Sequence, residues 1–133
     1  MGLRWYSIVI DCHDLAAQAR WWAEALHWNL IFENEEEAAV VPSWMTADPV
    51  PANRWDRELP GLVFVSVPED KTTKNRLHLD LATHLDDDRD AEIARLTGLG
   101  ARIIDVGQQP DATWTVLADP EGNEFCVLSA RNR

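Results

Sequence analysis

Residues 113–130 read TWTVLADPEGNEFCVLSA, two apolar runs on either side of Asp119, Pro120, Glu121 and Gly122. Asp119 opens a turn, Pro120 pre-sets φ at its second position, and Gly122 supplies the positive φ that closes a bulged hairpin. The strand after the turn alternates. Glu124, Cys126 and Leu128 fall on one face, Phe125 and Val127 on the other. A slip of one residue would exchange those faces, so the turn decides what Cys126 meets.

Working outward, the rest of the second half completes a small module. NRLHLDLA, residues 75–82, alternates Arg76, His78 and Asp80 against Leu77, Leu79 and Leu81, as a strand does. An acidic cap near Asp88 opens a helix that carries Ile93, Leu96 and Leu99 on one face. Gly100 stops it in the left-handed region, and ARIIDVG follows as a strand. The first half repeats the plan. Residues 4–12 form an apolar strand, and Asp14 caps a helix over 15–26 with Leu15, Ala19, Trp22 and Leu26 as its buried stripe. His27 occupies the left-handed position after that helix. WNLIFEN and EAAVVPS pair as a hairpin. A Pro-rich irregular stretch, 42–60, leads into the strand GLVFVSV.

Length and charge bound the function. A chain of 133 residues suits one domain, and its apolar fraction of 46% is that of a globular protein. The net charge of -11 argues against nucleic acid and anionic membrane as partners. No apolar run approaches the roughly 18 residues of a spanning helix. Two cysteines make no disulfide framework, so a reducing cytoplasm is the expected location. The acidic runs at Glu33–Glu37 and Asp86–Glu92 read as solvated element ends. KTTKNR, residues 71–76, is the basic exception.

VIDCHDLAAQARWWAEALHW, KNRLHLDLA, GLGAR and LADPEGNEFCVL, set in two halves of one plan, resemble the vicinal oxygen chelate superfamily. Within it the chain is similar to the glyoxalase-like domains of the glyoxalase, bleomycin-resistance and dioxygenase type. The resemblance covers roughly residues 4–129. It implies an α+β fold of two βαβββ modules, 3–68 and 74–130, whose strands form a curved mixed sheet around a cup. The two modules make a single glyoxalase-like domain, 1–133, and the family habit of pairing modules implies a homodimer.

The resemblance also implies a divalent metal in the cup, held by His, Gln or Glu from the first and last strands of each half. Several positions here depart from that pattern. His78 stands where a ligand is often found, but Cys126 stands where the metal enzymes carry Glu. The nearest acid, Glu124, is two residues earlier on the same face. The first half offers only Ser7 or Val9, and GLVFVSV offers only Ser66. One imidazole and one thiol do not hold a hard, oxygen-chelating ion. The expectation is therefore no resident cofactor, with His78 the weak candidate ligand should a divalent metal bind. His78 also suits acid/base work. Cys126 is expected to be a partly buried thiol, within reach of the strand that carries His78.

The expected pocket is lined by His78, Arg76, Cys126, Glu124 and Trp114, with Trp44 and Trp55 from the 42–60 loop as covering aromatics. Arg76 shares a face with His78 and is the best contact for an anion. The expected ligand is a small molecule, anionic or aromatic, held for sequestration or resistance. The alternative is a lyase, isomerase or dioxygenase that uses His78 with or without a metal. Trp5, Trp21, Trp22 and Trp28 are expected in core or dimer packing.

Overall fold

The computed structural model describes residues 2–133. The chain is α+β and divides into two compact units, the first ending at Glu69 and the second starting at Asp70. The first unit runs β1 (Ser7–Cys12), α1 (Leu15–Leu26), β2 (Asn29–Glu33), β3 (Glu37–Val41) and β4 (Gly61–Ser66). Its sheet has the order β1-β4-β3-β2, with β1 and β4 parallel and the other pairs antiparallel. The second unit runs β5 (Asp80–Leu81), α2 (Arg89–Gly98), β6 (Arg102–Ile103), β7 (Thr115–Ala118) and β8 (Glu124–Val127). Its order is β5-β8-β7-β6, again with the first and last strands parallel. Each unit is therefore a βαβββ module with one topology, as the repeated plan in the sequence requires.

Local chemistry accounts for the elements of the first unit. The Asp14 carboxylate accepts from the Ala17 N–H at 3.1 Å and caps α1. His27 ends the helix at φ 55°, in the left-handed region, and the Trp28 N–H reaches the Ala23 carbonyl at 2.9 Å. Leu15, Ala19, Trp22 and Ala25 are buried on α1, which packs on β3 and β4. Their counterparts on the sheet are Ala38, Val40, Leu62 and Phe64, all buried. Leu26 is only half-buried, while Gln18 joins the core. Trp21 and Trp22 pack edge to face with centroids 5.1 Å apart, but Trp5 stands exposed. The 42–60 stretch is not wholly irregular, because Ala52–Arg57 winds as a short 3-10 helix.

In the second unit, Asp88 caps α2 by accepting from the Ala91 N–H at 3.0 Å, and Gly100 turns the chain away at φ 117°. Arg89, the first residue of α2, ties the helix to β8. Its guanidinium donates to the Leu128 carbonyl at 2.7 Å, the Val127 carbonyl at 2.8 Å and the Thr115 hydroxyl at 3.0 Å. Leu96, Val116, Leu117, Phe125 and Val127 form the core. Two strands are shorter than their alternation predicts. Of residues 75–82 only Asp80 and Leu81 are strand, paired with Cys126 and Val127 of β8. Of residues 101–107 only Arg102 and Ile103 are strand. The Asp105 carboxylate takes the Gly107 N–H at 2.7 Å and turns the chain off the sheet.

The 119–122 turn is built as the sequence demands. Gly122 has φ 89°, and its N–H donates to the Asp119 carbonyl at 2.9 Å. The Asp119 carboxylate is buried and accepts from the Glu121 and Asn123 N–H groups, each at 3.0 Å. Asp119→Ala removes that acceptor and leaves two N–H groups without a partner, a loss of about 2–4 kcal/mol. Asp119→Asn keeps an acceptor oxygen and costs about 1 kcal/mol. Urea unfolding checks this, and an Asp119→Ala protein with the midpoint of the unsubstituted chain would refute it.

Candidate functional site

The site is set by the parallel pairing of β5 and β8. Asp80 lies opposite Cys126 and Leu81 opposite Val127. The Cys126 N–H donates to the Leu79 carbonyl at 2.9 Å and the Leu128 N–H to the Leu81 carbonyl at 2.7 Å. Residues opposite each other in a ladder share a face, so the Asp80 carboxylate and the Cys126 thiol lie side by side. His78, two residues before Asp80, shares that face. Its Nε2 is 3.2 Å from Asp80 Oδ1. One ligand atom from each of His78, Asp80 and Cys126 lies within 4.8 Å of the other two. Among the described residues this is the one such group of three or more metal-ligating side chains.

Asp80, a neighbour on the face of His78, is the carboxylate that joins His78 and Cys126, and Glu124, the acid on the face of Cys126, is not. Glu124 faces the start of the second unit. Its carboxylate accepts from Lys71 Nζ at 3.0 Å and from the Asn75 N–H at 2.9 Å. Burial alone would push this carboxyl up, but those two donors outweigh it and hold the group below the ordinary carboxylate range. Lys71 also donates to the Thr73 carbonyl, so the 71–75 segment is fastened to β8 rather than being a free basic linker. Asp80 was legible only as a neighbour of His78. The alternation placed the two on one face, but the pairing that brings Cys126 to them joins residues 46 apart.

Burial pushes the Cys126 thiol up, and the charge and hydrogen bond of Asp80 push it further; Lys74 acts the other way. The thiol itself is buried, whereas His78 and Asp80 are exposed at its rim. Arg76 is exposed in the bend just before His78, and Trp114 is 40% exposed. Trp44 and Trp55 belong to the first unit. The Trp44 indole donates to Glu58 at 2.9 Å, and Trp55 stacks on the Arg4 guanidinium at 4.8 Å. The Arg54 guanidinium, followed by that indole, holds the Glu58 carboxyl below its usual range. On β1, Ser7 lies opposite Gly61 and Val9 opposite Val63, so the first strand pair supplies no imidazole or carboxylate at these positions.

A hard divalent ion of the kind implied by the resemblance does not fit these residues. Such ions take oxygen donors, and here one of the three clustered donors is a thiol while the nearby carboxylate of Glu124 is committed to Lys71 and Asn75. The raised thiol has two consequences. Cys126 labels slowly in folded protein at neutral pH, because little thiolate is present. Its contribution to stability is complete below the unfolded thiol value of about 8.5 and is lost as pH rises through the higher folded value. Cys126→Ser should therefore flatten the alkaline fall in stability measured by denaturant unfolding. Fast labelling at pH 7, or an alkaline limb that Cys126→Ser leaves unchanged, would contradict this.

Comparison with known proteins agrees with the fold. A family model for the glyoxalase-like domain matches residues 7–128. No curated protein sequence matches the chain at a significant level. Among solved structures, a glyoxalase/bleomycin resistance protein/dioxygenase family enzyme from Burkholderia phytofirmans is 14% identical with a TM-score of 0.68. That match covers 97% of this chain and 100% of the other. A glyoxalase-related enzyme from Fulvimarina pelagi is 18% identical with a TM-score of 0.60, covering 93% and 86%. The fosfomycin resistance protein FosX from Listeria monocytogenes is 9% identical with a TM-score of 0.67, covering 98% and 92%. It was solved as a variant with Mn(II) and 1S,2S-dihydroxypropylphosphonic acid. The matched span takes in β1 through β8, and with it the shared topology of the two sheets: the chain belongs to the glyoxalase-like domain family of the vicinal oxygen chelate superfamily.

Proposed function

We propose that this chain is a small-molecule-binding protein that acts by capture, in the manner of a resistance or sequestration factor, and that both units serve one functional domain. The observation that carries this reading is Cys126. Its thiol is buried where the family resemblance expects a metal-ligating carboxylate, and Glu124 is held by Lys71 and Asn75 instead of being available to a ligand. A reaction that depends on a hard Lewis acid has no donor set of that kind here.

The ligand class follows from the rim. Lys74 lies close enough to Cys126 to act on it electrostatically, and Arg76 is exposed four residues before β5 begins at Asp80. These two cations, with the exposed His78 beside them, favour a compact anionic group such as a carboxylate or phosphonate. Trp114, 40% exposed in the same unit, is the aromatic surface for a flat apolar portion. Leu3, Trp5, Tyr6 and Val9 leave apolar surface exposed on the first unit, which favours a homodimer. Both cysteines are free thiols, in keeping with a cytoplasmic setting, and no helix among the described residues is long and apolar enough to cross a membrane.

The enzymatic alternative is a lyase, isomerase or dioxygenase. One observation favours it: Asp80 holds His78 Nε2 at 3.2 Å, an arrangement that orients an imidazole for proton transfer.

The two readings separate in chelator-treated protein. Capture predicts that fosfomycin or salicylate raises the melting temperature without added metal. It also predicts that Lys74→Ala with Arg76→Ala weakens that binding about tenfold, the loss of roughly 1.4 kcal/mol. Turnover of fosfomycin or of the glutathione adduct of methylglyoxal, appearing only with added Mn(II), would overturn capture.

A further inference from the structure

We infer that His78, Asp80 and Cys126 form a three-donor site for a borderline-soft divalent metal of the zinc type, with a fourth coordination position open. The inference goes beyond the capture reading and does not depend on it. It rests on what the β5–β8 register does to three side chains. Asp80 and Cys126 are ladder partners, and the His78 imidazole lies against Asp80 just before the strand. The three donor atoms lie within 4.8 Å of one another. Zinc bonds of roughly 2.0–2.3 Å in a tetrahedron separate neighbouring donors by about 3.3–3.7 Å. His78 Nε2 and Asp80 Oδ1 are already 3.2 Å apart. Both are exposed side chains on the rim, so a rotamer change brings them towards the thiol without disturbing the core.

The donor set selects the metal. One nitrogen, one oxygen and one sulfur match the mixed ligands of zinc, whereas Mn(II) and Mg(II) are held by carboxylate, carbonyl and water oxygens. On binding, the S–H bond of Cys126 breaks, a sulfur–metal bond forms, and the proton leaves to solvent. Asp80 then faces a cation rather than a second anion. Cys126 comes from below, out of the buried wall, and His78 and Asp80 come from the solvent side. An open fourth position is available to water or to an anionic group.

Co(II) titration of the chelator-treated full chain tests this, because cobalt reports thiolate ligation by an intense near-ultraviolet charge-transfer band. The site predicts that band, its displacement by Zn(II), and its loss in Cys126→Ser. Zn(II) binds more tightly than Mn(II) at most nitrogen and oxygen sites, so the preference alone decides nothing. The deciding measurement is its change: in Cys126→Glu the ratio of zinc to manganese affinity should fall at least about tenfold. Circular dichroism confirms that both variants are folded. A Co(II) complex without the band, a band that survives in Cys126→Ser, or an unchanged ratio in Cys126→Glu would each overturn the site. Chelator-treated protein that still captures a small molecule but binds no Co(II) overturns the metal site alone and leaves capture standing.

Discussion

The buried carboxylate of Asp119 is the constraint on which the second unit depends. It accepts the Glu121 and Asn123 N–H groups and closes the tight turn between β7 and β8. That closure fixes Ala118 opposite Glu124, Leu117 opposite Phe125 and Val116 opposite Cys126. β5 has just two ladder residues and cannot set a register by itself, so it takes its position from β8. Everything that Cys126 meets follows from that order of dependence. A turn shifted by one residue would send the thiol to the face of Phe125 and Val127 and turn those side chains towards Asp80 instead.

Within the register, two neighbouring positions on one face have opposite fates. Glu124, nearest the turn, is drawn to Lys71 and the Asn75 N–H and fastens the start of the unit to β8. Cys126, one pleat further on, meets Asp80 instead. A carboxylate that satisfies a backbone N–H and an ammonium holds the chain in place but has little capacity left for a ligand. The chemistry therefore passes to His78, Asp80 and Cys126. Position on the strand, not residue type alone, decides which side chain is structural.

Local signals made most of the fold legible. The Asp14 cap, the left-handed His27 and the Asp119–Gly122 turn all appear where their residues placed them, because each is closed by hydrogen bonds within five residues. Alternation through residues 75–82 predicts one strand, of which only Asp80 and Leu81 form. Leu77 is 89% exposed, however, and has no strand to pair with. Two contacts lay beyond any local pattern. Arg89 reaches the end of β8 across 38 and 39 residues, and Asp80 reaches Cys126 across 46. Such pairings depend on which strands become neighbours, and nothing in the spacing of NRLHLDL specifies that.

The claim at the centre is that the turn-set register lays the Asp80 carboxylate against the Cys126 thiol. Carbon-13 labelling of cysteine Cβ resolves Cys126 from Cys12, so an NMR titration of metal-free protein follows this thiol alone. The register predicts that Cys126 titrates above an ordinary thiol in the unsubstituted chain, from burial and from the charge of Asp80. Asp80→Asn removes the charge, and the titration should move down towards the ordinary range. An identical titration in the two proteins would mean that Asp80 is not beside Cys126, and the account of the site would fail.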